Sequence, residues 1–183
     1  MFTFKARHGG TISAQAYRTA SPLGSITILV STQQKLLGLW FEDLLPKGFV
    51  RYQAAIAADT MTSGCPEPIL TWLEQYFAGQ KPGPEPALEF IGTEFERKVW
   101  HALLHIPYGQ TTTYGAIAQR LFPERSTLMA RAVGQAVGAN PICLIVPCHR
   151  VLGADGKLTG YAQGLERKQK LLELEGILPP VSD

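Results

Sequence analysis

Residues 142–150 read Ile142-Cys143-Leu144-Ile145-Val146-Pro147-Cys148-His149-Arg150, which places a cysteine beside a histidine directly after an apolar run. The run predicts a short buried strand, and the proline that follows cannot continue an interior ladder. Cys148 is therefore expected where a strand stops, a position that commonly carries function. A free thiol has a pKa near ~8.5 and is mostly protonated at neutral pH, so it needs a proton acceptor before it can attack. His149 is the candidate for that acceptor.

A second interpretation of Cys148 needs no chemistry. Cysteine is among the most buried residue types, and most single cysteines pack as small core side chains. A Cys-His dipeptide alone is a weak motif. Its position directly after the predicted strand is what favours a catalytic role for Cys148 over a packing role.

One helix before this segment and one after it have clear end signals. Thr93 and Glu96 have the spacing of a capping box, which predicts a helix start. The last helix is expected to end at Glu175, with Gly176 in the C′ position. An acid near a helix C-terminus opposes the helix dipole, so Glu175 is expected to have a particular partner, and His149 is our candidate.

Two short helices joined by a tight turn lie between them and form a helix-turn-helix candidate. Thr113 is expected to cap the first, residues 114–121, and Ser126 the second, residues 127–137. The second helix carries small residues around one long cation: Ala130, Arg131, Ala132, Gly134 and Ala136. Such a surface fits close helix packing, or it fits contact with a DNA minor groove, where a long side chain can wedge into the base stack.

Three further polar residues have two interpretations each. Asn140 precedes a proline and is typical of a turn, but its amide could also fasten the helix at residues 127–137 to the Cys148 strand. Tyr114 is either a boundary residue or a phenol that donates to a phosphate or a base. Tyr161, beside glycine, is either a loop anchor or a stacking surface.

The segment Lys81-Pro82-Gly83-Pro84-Glu85-Pro86 interrupts any helix or central strand. It predicts a boundary between an N-terminal α+β domain, residues 1–86, and a mainly helical C-terminal domain, residues 87–183. The elements expected before the boundary are strands at residues 12–18, 24–30 and 36–41, a turn at Gln33 and Gln34, and a helix at residues 68–78 that Gly79 stops.

The composition excludes several classes of protein. Of 183 residues, 45% are hydrophobic and 17% are charged, as in soluble globular proteins. No apolar run approaches the ~20 residues that span a bilayer, and residues 1–10 lack the apolar core of a secretory signal, so we expect a cytoplasmic protein with no membrane association. A net charge of +2 does not by itself indicate a nucleic-acid partner.

The cysteines and histidines predict neither a disulfide nor a metal site. The chain has three cysteines, an odd number without a disulfide spacing, which suits a reducing compartment. Cys65, His8, His101 and His105 lack the spacing of metal ligands. We therefore expect no bound metal.

Taken together, residues 92–176 resemble the O6-alkylguanine-DNA alkyltransferases, the methylated-DNA–protein-cysteine methyltransferases. Ser21-Pro22-Leu23-Gly24 is a weaker match to the variable N-terminal domain of that family. The motifs that carry the resemblance are Gly92-Thr93-x-Phe95, Val99-Trp100, Ile106-Pro107-x-Gly109, Tyr114-Gly115, Arg131-Ala132-Val133-Gly134, Asn140-Pro141, Pro147-Cys148-His149-Arg150-Val151, Gly160-Tyr161, Lys168 and Leu171-Leu172-x-x-Glu175-Gly176. The resemblance implies an α+β fold: a small ribonuclease H-like domain of sheet and helix, then a mainly helical domain with a winged-helix-like helix-turn-helix and the active-site cysteine.

The resemblance also implies the catalytic roles. Cys148 accepts the alkyl group, His149 takes its proton through a water, and Glu175 holds the imidazole. Tyr114 helps to rotate the damaged nucleotide and protonates the leaving guanine. Asn140 is the hinge between the recognition helix and the active-site strand.

The residues implied for DNA and base binding lie around the same centre. Arg131, flanked by Ala130 and Ala132, fills the gap in the base stack. Backbone groups of Cys148 and Val151 and the loop of Tyr161 and Ala162 read the edge of the base.

The activity implied is direct reversal of DNA damage. The protein binds alkylated double-stranded DNA, flips O6-alkylguanine or O4-alkylthymine, and transfers the alkyl group irreversibly, once per chain. It needs no cofactor, has no obligate protein partner and is a monomer.

Three departures from the family pattern affect these expectations. Residues 121–128 form a longer turn than is usual, which affects phosphate contacts there. Gln163 stands where glycine is frequent and is expected to narrow the pocket toward small alkyl groups. The zinc ligands that some members carry near the N-terminus are missing, which again predicts no metal.

Three other functions stay open at this point. A lesion binder without catalysis would gain no mass from methylated DNA. A helix-turn-helix regulator would prefer one undamaged sequence. A Cys-His hydrolase would turn over acyl substrates.

Overall fold

A computed structural model describes residues 2–5, 11–43 and 64–179. Four antiparallel strands form one sheet in chain order, and a pair of two-residue parallel strands lies further along the chain. The expected strands at residues 12–18 and 36–41 are confirmed, and the one expected at 24–30 begins two residues later. The bounds are β1 (Phe2–Lys5), β2 (Thr11–Thr19), β3 (Ile26–Ser31), β4 (Leu36–Phe41), β5 (Thr112–Thr113) and β6 (Val151–Leu152).

Strands β3 and β4 are buried on both faces. Every residue of both strands is buried, because one face packs on the main core and the other on a second, smaller cluster. This explains why their sequences read as continuous apolar runs and not as alternating ones. The turn that joins them places Gln34 at a positive φ of 61°, as the predicted hairpin requires.

Five helices are described: α1 (Glu67–Phe77), α2 (Glu94–Leu103), α3 (Tyr114–Leu121), α4 (Ser126–Gly138) and α5 (Leu165–Leu174). The fold is therefore of the expected α+β class. None of the described helices is long and apolar enough to cross a membrane. The glycines expected to end α1 and α5, Gly79 and Gly176, both have the positive φ of that position.

The caps of these helices test the sequence predictions directly. In the capping box, the Thr93 hydroxyl accepts from the Glu96 N–H, and the Glu96 carboxylate accepts from the Thr93 N–H. The Thr113 hydroxyl accepts from the Ala116 backbone N–H at 3.1 Å. The prediction for Ser126 is wrong, since it is already the first residue of α4. A short 3-10 turn, Pro123–Arg125, leads directly into α4, so Arg125 takes the N-cap position without a side-chain bond.

The strand predicted at residues 142–146 is also wrong. Only Ile142 forms a bridge, to Leu39 of β4, and the chain then turns back on itself. Leu144 has a positive φ of 70°, a conformation that a strand excludes and that costs a non-glycine residue about 1–3 kcal/mol. We call residues 142–147 the buried turn. It ends at a 3-10 turn, Cys148–Arg150, so Cys148 follows a turn and not a strand.

The two predicted domains share a core. One hydrophobic cluster contains side chains from β3, β4 and α1 together with side chains from α2, α4 and the buried turn. Backbone bonds join the parts: the Leu39 N–H donates to Pro141, and the Cys143 N–H donates to Leu39. The boundary between residues 1–86 and 87–183 stays a prediction, as do the ribonuclease H-like and winged-helix-like descriptions.

Candidate active site

The buried turn presents the Cys148 thiol to one amide. The Asn140 Nδ2 lies 3.0 Å from the Cys148 sulfur and also donates to the carbonyl oxygens of Val146 at 2.8 Å and Ile142 at 3.3 Å. The Asn140 carbonyl in turn accepts from the Ile142 N–H at 3.0 Å. The side chain just after α4 therefore fastens that helix to the buried turn, which is one of the two interpretations that the sequence allowed for Asn140.

The surroundings of Cys148 favour its thiolate. Cys148 is 4% exposed, and its pKa is lowered by a hydrogen bond from Cys143, against the effect of burial. The Asn140 amide and the positive charge of Lys168 lower the pKa further. A sulfur in this position carries negative charge more readily than a free thiol does.

His149, which follows Cys148 in the chain, forms a buried pair with Glu175. The His149 Nε2 lies 2.7 Å from the Glu175 Oε1, and neither side chain is exposed. The Tyr76 hydroxyl donates to the same Oε1 at 2.8 Å and lies 3.2 Å from the His149 Nε2. The predicted pairing of Glu175 with His149 is therefore present in the structure.

Glu175 accepts from several donors at once. Arg150 donates from Nε at 2.8 Å and from a terminal nitrogen at 3.0 Å, and the Gly109 N–H donates at 3.1 Å. Burial alone would raise the pKa of Glu175, but the bonds and charges of His149 and Arg150 lower it to about 2. The carboxylate is therefore ionised at neutral pH and can only accept.

This fixes the tautomer of His149. Because Glu175 accepts only, the proton sits on the His149 Nε2 and the Nδ1 carries a lone pair. Burial lowers the pKa of His149, although Glu175 opposes this, so the ring is neutral. The Nδ1 is buried and has no hydrogen-bond partner among the described residues. A neutral ring with a free lone pair is what a proton acceptor needs.

Tyr114, the first residue of α3, is held by the loop that precedes α5. Its hydroxyl donates to the carbonyl oxygens of Thr159 and Gly160, both at 3.2 Å. Burial raises the pKa of Tyr114, the Thr159 bond lowers it, and the nearby Cys148 raises it again. The phenol is therefore protonated and able to donate near the sulfur.

The loop that follows β6 is held in place by Lys168 and carries Tyr161, which lies near His149. Lys168, buried on α5, donates to the carbonyl oxygens of Val151 at 2.6 Å and Thr159 at 2.7 Å, and burial lowers its pKa to about 8. The Tyr161 ring lies 6.4 Å from the His149 ring, and its buried hydroxyl has no partner among the described residues. The Tyr161 ring therefore packs near His149 with a hydroxyl that is unpartnered within the described part of the chain.

The outer face of α4 carries Arg131. This side chain is exposed and makes no ion pair with any described residue, while Ala130 and Ala132 beside it are half-buried. Leu128, one turn earlier, is 78% exposed, which is unusual for a large apolar side chain.

Residues 94–177 match the model of the DNA-binding domain of 6-O-methylguanine DNA methyltransferase. Two relatives named methylated-DNA–protein-cysteine methyltransferase align over part of the chain. The one from Methanosarcina acetivorans is 55% identical over 104 residues, 57% of this chain and 65% of its own length. The one from Mycobacterium tuberculosis is 54% identical over 103 residues, 56% of this chain and 61% of its own length.

A solved structure extends the similarity to nearly the whole chain. The crystal structure of the Mycobacterium tuberculosis O6-methylguanine methyltransferase is 39% identical, with a TM-score of 0.76, over 92% of this chain and 96% of its own. The chain belongs to the O6-methylguanine-DNA methyltransferase family. A structure of the same mycobacterial protein in complex with DNA is 40% identical, with a TM-score of 0.75, over 88% of this chain and 92% of its own.

Three residues of this methyltransferase-family site were not predicted to have a role from the sequence. Tyr76 lies on α1, on an apolar helix face where no pattern separates it from a packing residue. Arg150 follows the Cys-His pair, but nothing in the sequence shows that it is buried against Glu175. Cys143 lies in the predicted strand, and nothing in the sequence indicates that its thiol lowers the pKa of Cys148.

Two remaining expectations concern what this family member binds. No group of three or more His, Cys, Asp or Glu side chains that could hold a metal occurs in the described ranges, and His8 lies outside them. The Gln163 carbonyl accepts from the Phe41 N–H of β4 at 2.7 Å, so that oxygen faces the sheet. Its effect on the alkyl group accepted stays a prediction.

Proposed function

We propose that this protein repairs alkylated DNA by moving an alkyl group from guanine O6, or thymine O4, to the sulfur of Cys148. The arrangement that carries the proposal is a buried sulfur with a stabilised thiolate, followed in the chain by a buried, neutral histidine. An ionised Glu175 holds that histidine so that its unprotonated Nδ1 is free to accept. Membership of the family supports the same chemistry.

The transfer is a single displacement. The thiol proton passes to the His149 Nδ1 through a water, and the thiolate attacks the alkyl carbon. A sulfur–carbon bond forms while the carbon–oxygen bond breaks, and its electron pair leaves with the base, which takes a proton from Tyr114. The imidazolium proton of His149 then returns through water to the Tyr114 phenolate. The net change moves one proton from the thiol to the base, so the step needs no cofactor.

The product explains why each chain acts once. A thioether has no activated leaving group, and nothing in the reaction removes the alkyl group from Cys148. The protein is therefore a stoichiometric acceptor, consumed by the repair that it performs.

The damaged base must leave the duplex to reach a buried sulfur. Enzymes that act on a base rotate it out of the stack, at a cost of a few kcal/mol. We assign α3, the 3-10 turn Pro123–Arg125 and α4 to a helix-turn-helix that lies against the DNA. Residues 114–138 contain Arg120, Arg125 and Arg131 against one acid, Glu124, and none of these arginines forms an ion pair within the described residues.

Arg131 and the loop of Tyr161 and Ala162 contact different parts of the DNA: the gap in the base stack and the flipped base. Arg131, beside Ala130 and Ala132, occupies the space that the flipped base leaves, because it is exposed and free of ion pairs in the described part of the chain. Backbone groups of Val151 and the loop of Tyr161 and Ala162 contact the flipped base. Leu128 is a second side chain able to enter the groove, since apolar wedges are common in minor-groove binders.

Mass spectrometry after incubation with duplex DNA that contains O6-methylguanine tests the proposal. We expect the chain to gain the mass of one methyl group, and peptide mapping to place it on Cys148. A chain that binds the lesion but gains no mass is a lesion binder. Release of product from acyl substrates with unchanged mass would instead indicate a hydrolase.

Replacing Arg131 with alanine is expected to slow repair of duplex DNA about tenfold. The arginine stabilises the duplex with the flipped base by ~1–2 kcal/mol, which offsets part of the free energy of unstacking. Repair of the free modified base should change little, since that substrate needs no flipping. Single-turnover rates on both substrates measure this difference.

Arg125→Ala is the matched control for Arg131→Ala. It removes one exposed charge from the same helix pair, so it should weaken DNA binding and reduce the salt dependence of binding. It should not slow repair of bound duplex DNA relative to repair of the free base. If Arg131→Ala lowers the repair rate equally on duplex DNA and on the free base, Arg131 does not fill the gap that the flipped base leaves.

A further inference from the structure

The Tyr76 hydroxyl reaches the buried pair of His149 and Glu175 from α1, in the N-terminal part of the chain. It donates to the Glu175 Oε1 at 2.8 Å and lies 3.2 Å from the His149 Nε2. That Nε2 itself lies 2.7 Å from the same Oε1. One carboxylate oxygen is therefore shared between a phenol from α1 and the imidazole that follows Cys148.

Packing fixes the Tyr76 ring independently of this bond. The side chain is fully buried, and its ring stacks on Trp72 with centroids 5.3 Å apart and planes 8° apart. Tyr108 contacts it edge to face, with centroids 6.2 Å apart and planes at 84°. Because a phenol oxygen lies in the plane of its ring, a ring held by these neighbours keeps the hydroxyl against Glu175.

The direction of the two bonds follows from the charge of Glu175. The ionised carboxylate only accepts, so both the Tyr76 hydroxyl and the His149 Nε2 donate to it. Burial and the nearby Glu175 raise the pKa of Tyr76, so the phenol keeps its proton. Each hydrogen bond that stabilises a carboxylate makes it a weaker acceptor for the next donor. The Tyr76 bond therefore limits how strongly Glu175 favours a charged imidazolium.

Other charged and titratable groups also face His149. Burial lowers the pKa of His149, Glu175 raises it, and the positive charges of Arg150, from the 3-10 turn, and Lys168, from α5, lower it further. Tyr161 faces the ring from the loop before α5, with centroids 6.4 Å apart. Removal of the hydroxyl on α1 leaves all of these groups in place, so its effect can be isolated.

We propose that Tyr76 is a positioning residue for alkyl transfer, whose hydroxyl shares the Glu175 Oε1 with His149 and thereby keeps the imidazole neutral and able to accept the Cys148 proton. Tyr76 acts through Glu175 and His149. Its part in transfer rests on the proposed function. The hydrogen bond and its effect on His149 do not.

A positioning role and a packing role differ in what they predict for His149. Without the hydroxyl, Glu175 has one donor fewer and is a stronger acceptor for an imidazolium. The pKa of His149 should then rise by about one unit, a tenfold change in its protonation equilibrium. A protonated His149 has no lone pair for the thiol proton, so the acidic limb of the transfer-rate profile should move to higher pH with it. A phenol that only packs would leave both unchanged.

The test is a pH titration of protein labelled with ¹⁵N at histidine, followed by NMR, with methyl-transfer rates measured over the same pH range. Tyr76→Phe should shift the His149 titration upward by about one pH unit and slow transfer about tenfold at acidic pH. Tyr108→Phe is the matched control, because it removes a hydroxyl that donates to the Leu174 carbonyl at 3.3 Å from a ring packed against Tyr76. It should leave the His149 titration near that of the wild type.

Incorporation of 3-fluorotyrosine at position 76 changes the same bond in the opposite direction. This side chain keeps the hydroxyl, and its more acidic phenol is a stronger donor to Glu175. The His149 titration and the acidic limb of the rate profile should therefore move to lower pH. The substitution keeps the ring and its packing, so it serves as the test if Tyr76→Phe does not fold.

Three results would overturn the proposal: a His149 titration in Tyr76→Phe that is unchanged or lowered, an equal upward shift in Tyr108→Phe, or a transfer rate scaled equally at every pH. An unchanged or raised titration with 3-fluorotyrosine would overturn it as well. The titration uses no DNA. A wild type that takes up no methyl group would refute the proposed function and leave the titration result standing.

Discussion

Replacing Cys148 with serine is expected to abolish alkyl transfer and to leave binding to alkylated duplex DNA nearly unchanged. Serine has the shape of cysteine and can still accept the Asn140 bond. Its hydroxyl does not ionise near neutral pH, and the bonds that stabilise a thiolate here are far too weak to change that. We expect the rate to fall by more than about a thousandfold, or ~4 kcal/mol of activation free energy.

Two measurements separate chemistry from binding in this variant. Methyl uptake from labelled duplex reports transfer, and fluorescence anisotropy with the same duplex reports affinity. Cys65→Ser is a suitable control, because Cys65 is half-buried beyond the site and should keep both activities. Transfer that survives in Cys148→Ser would remove Cys148 from its role.

Replacing Glu175 with glutamine is expected to lower the free energy of unfolding by about 3–5 kcal/mol, the usual cost of leaving a buried charge without its partner. Arg150 would keep its charge, and the amide nitrogen of glutamine would face donors from Tyr76, Gly109 and His149. Transfer should also slow, because His149 would lose the acceptor that fixes its tautomer.

Urea unfolding measures the effect of Glu175→Gln on stability. Glu166→Gln, at the start of α5, is the matched control, since its exposed ion pair with Lys170 should contribute very little. A Glu175→Gln variant as stable as this control would contradict the buried network.

The same residue sets a pH window for stability. The pKa of Glu175 is about 2 in the fold and near 4.5 when unperturbed. Because the folded value is the lower one, its stabilisation of about 3 kcal/mol is fully present above pH 4.5 and is lost as the pH falls toward 2. In Glu175→Gln, stability should vary less over that range than in the wild type.

Local signals in the sequence predicted the local structure well. The capping box at Thr93 and the threonine cap at Thr113 were placed correctly because each depends on residues within one helical turn. The helix-ending Gly176 was correct for the same reason. Ser126 was misplaced because a 3-10 turn precedes α4, and a serine one residue later has the same sequence signature as a cap.

Burial was easier to predict than conformation. The run Ile142–Val146 is buried as expected, but it forms a turn with Leu144 at positive φ, and apolar composition does not distinguish a buried turn from a buried strand. Tyr76 was missed because it reaches Glu175 across 99 positions of the chain. Such contacts depend on where α1 lies relative to the end of α5, which no local pattern encodes. The roles of Arg131 and Tyr114 in the DNA complex stay predictions.

The number of methyl groups taken up per chain, measured with methylated duplex DNA in excess, tests the central claim most directly. If Cys148 is a permanent acceptor, uptake should rise to one methyl group per folded chain and then stop, with the label retained in the protein. Continued loss of lesions beyond that level, or repaired DNA alongside an unmodified chain, would contradict it.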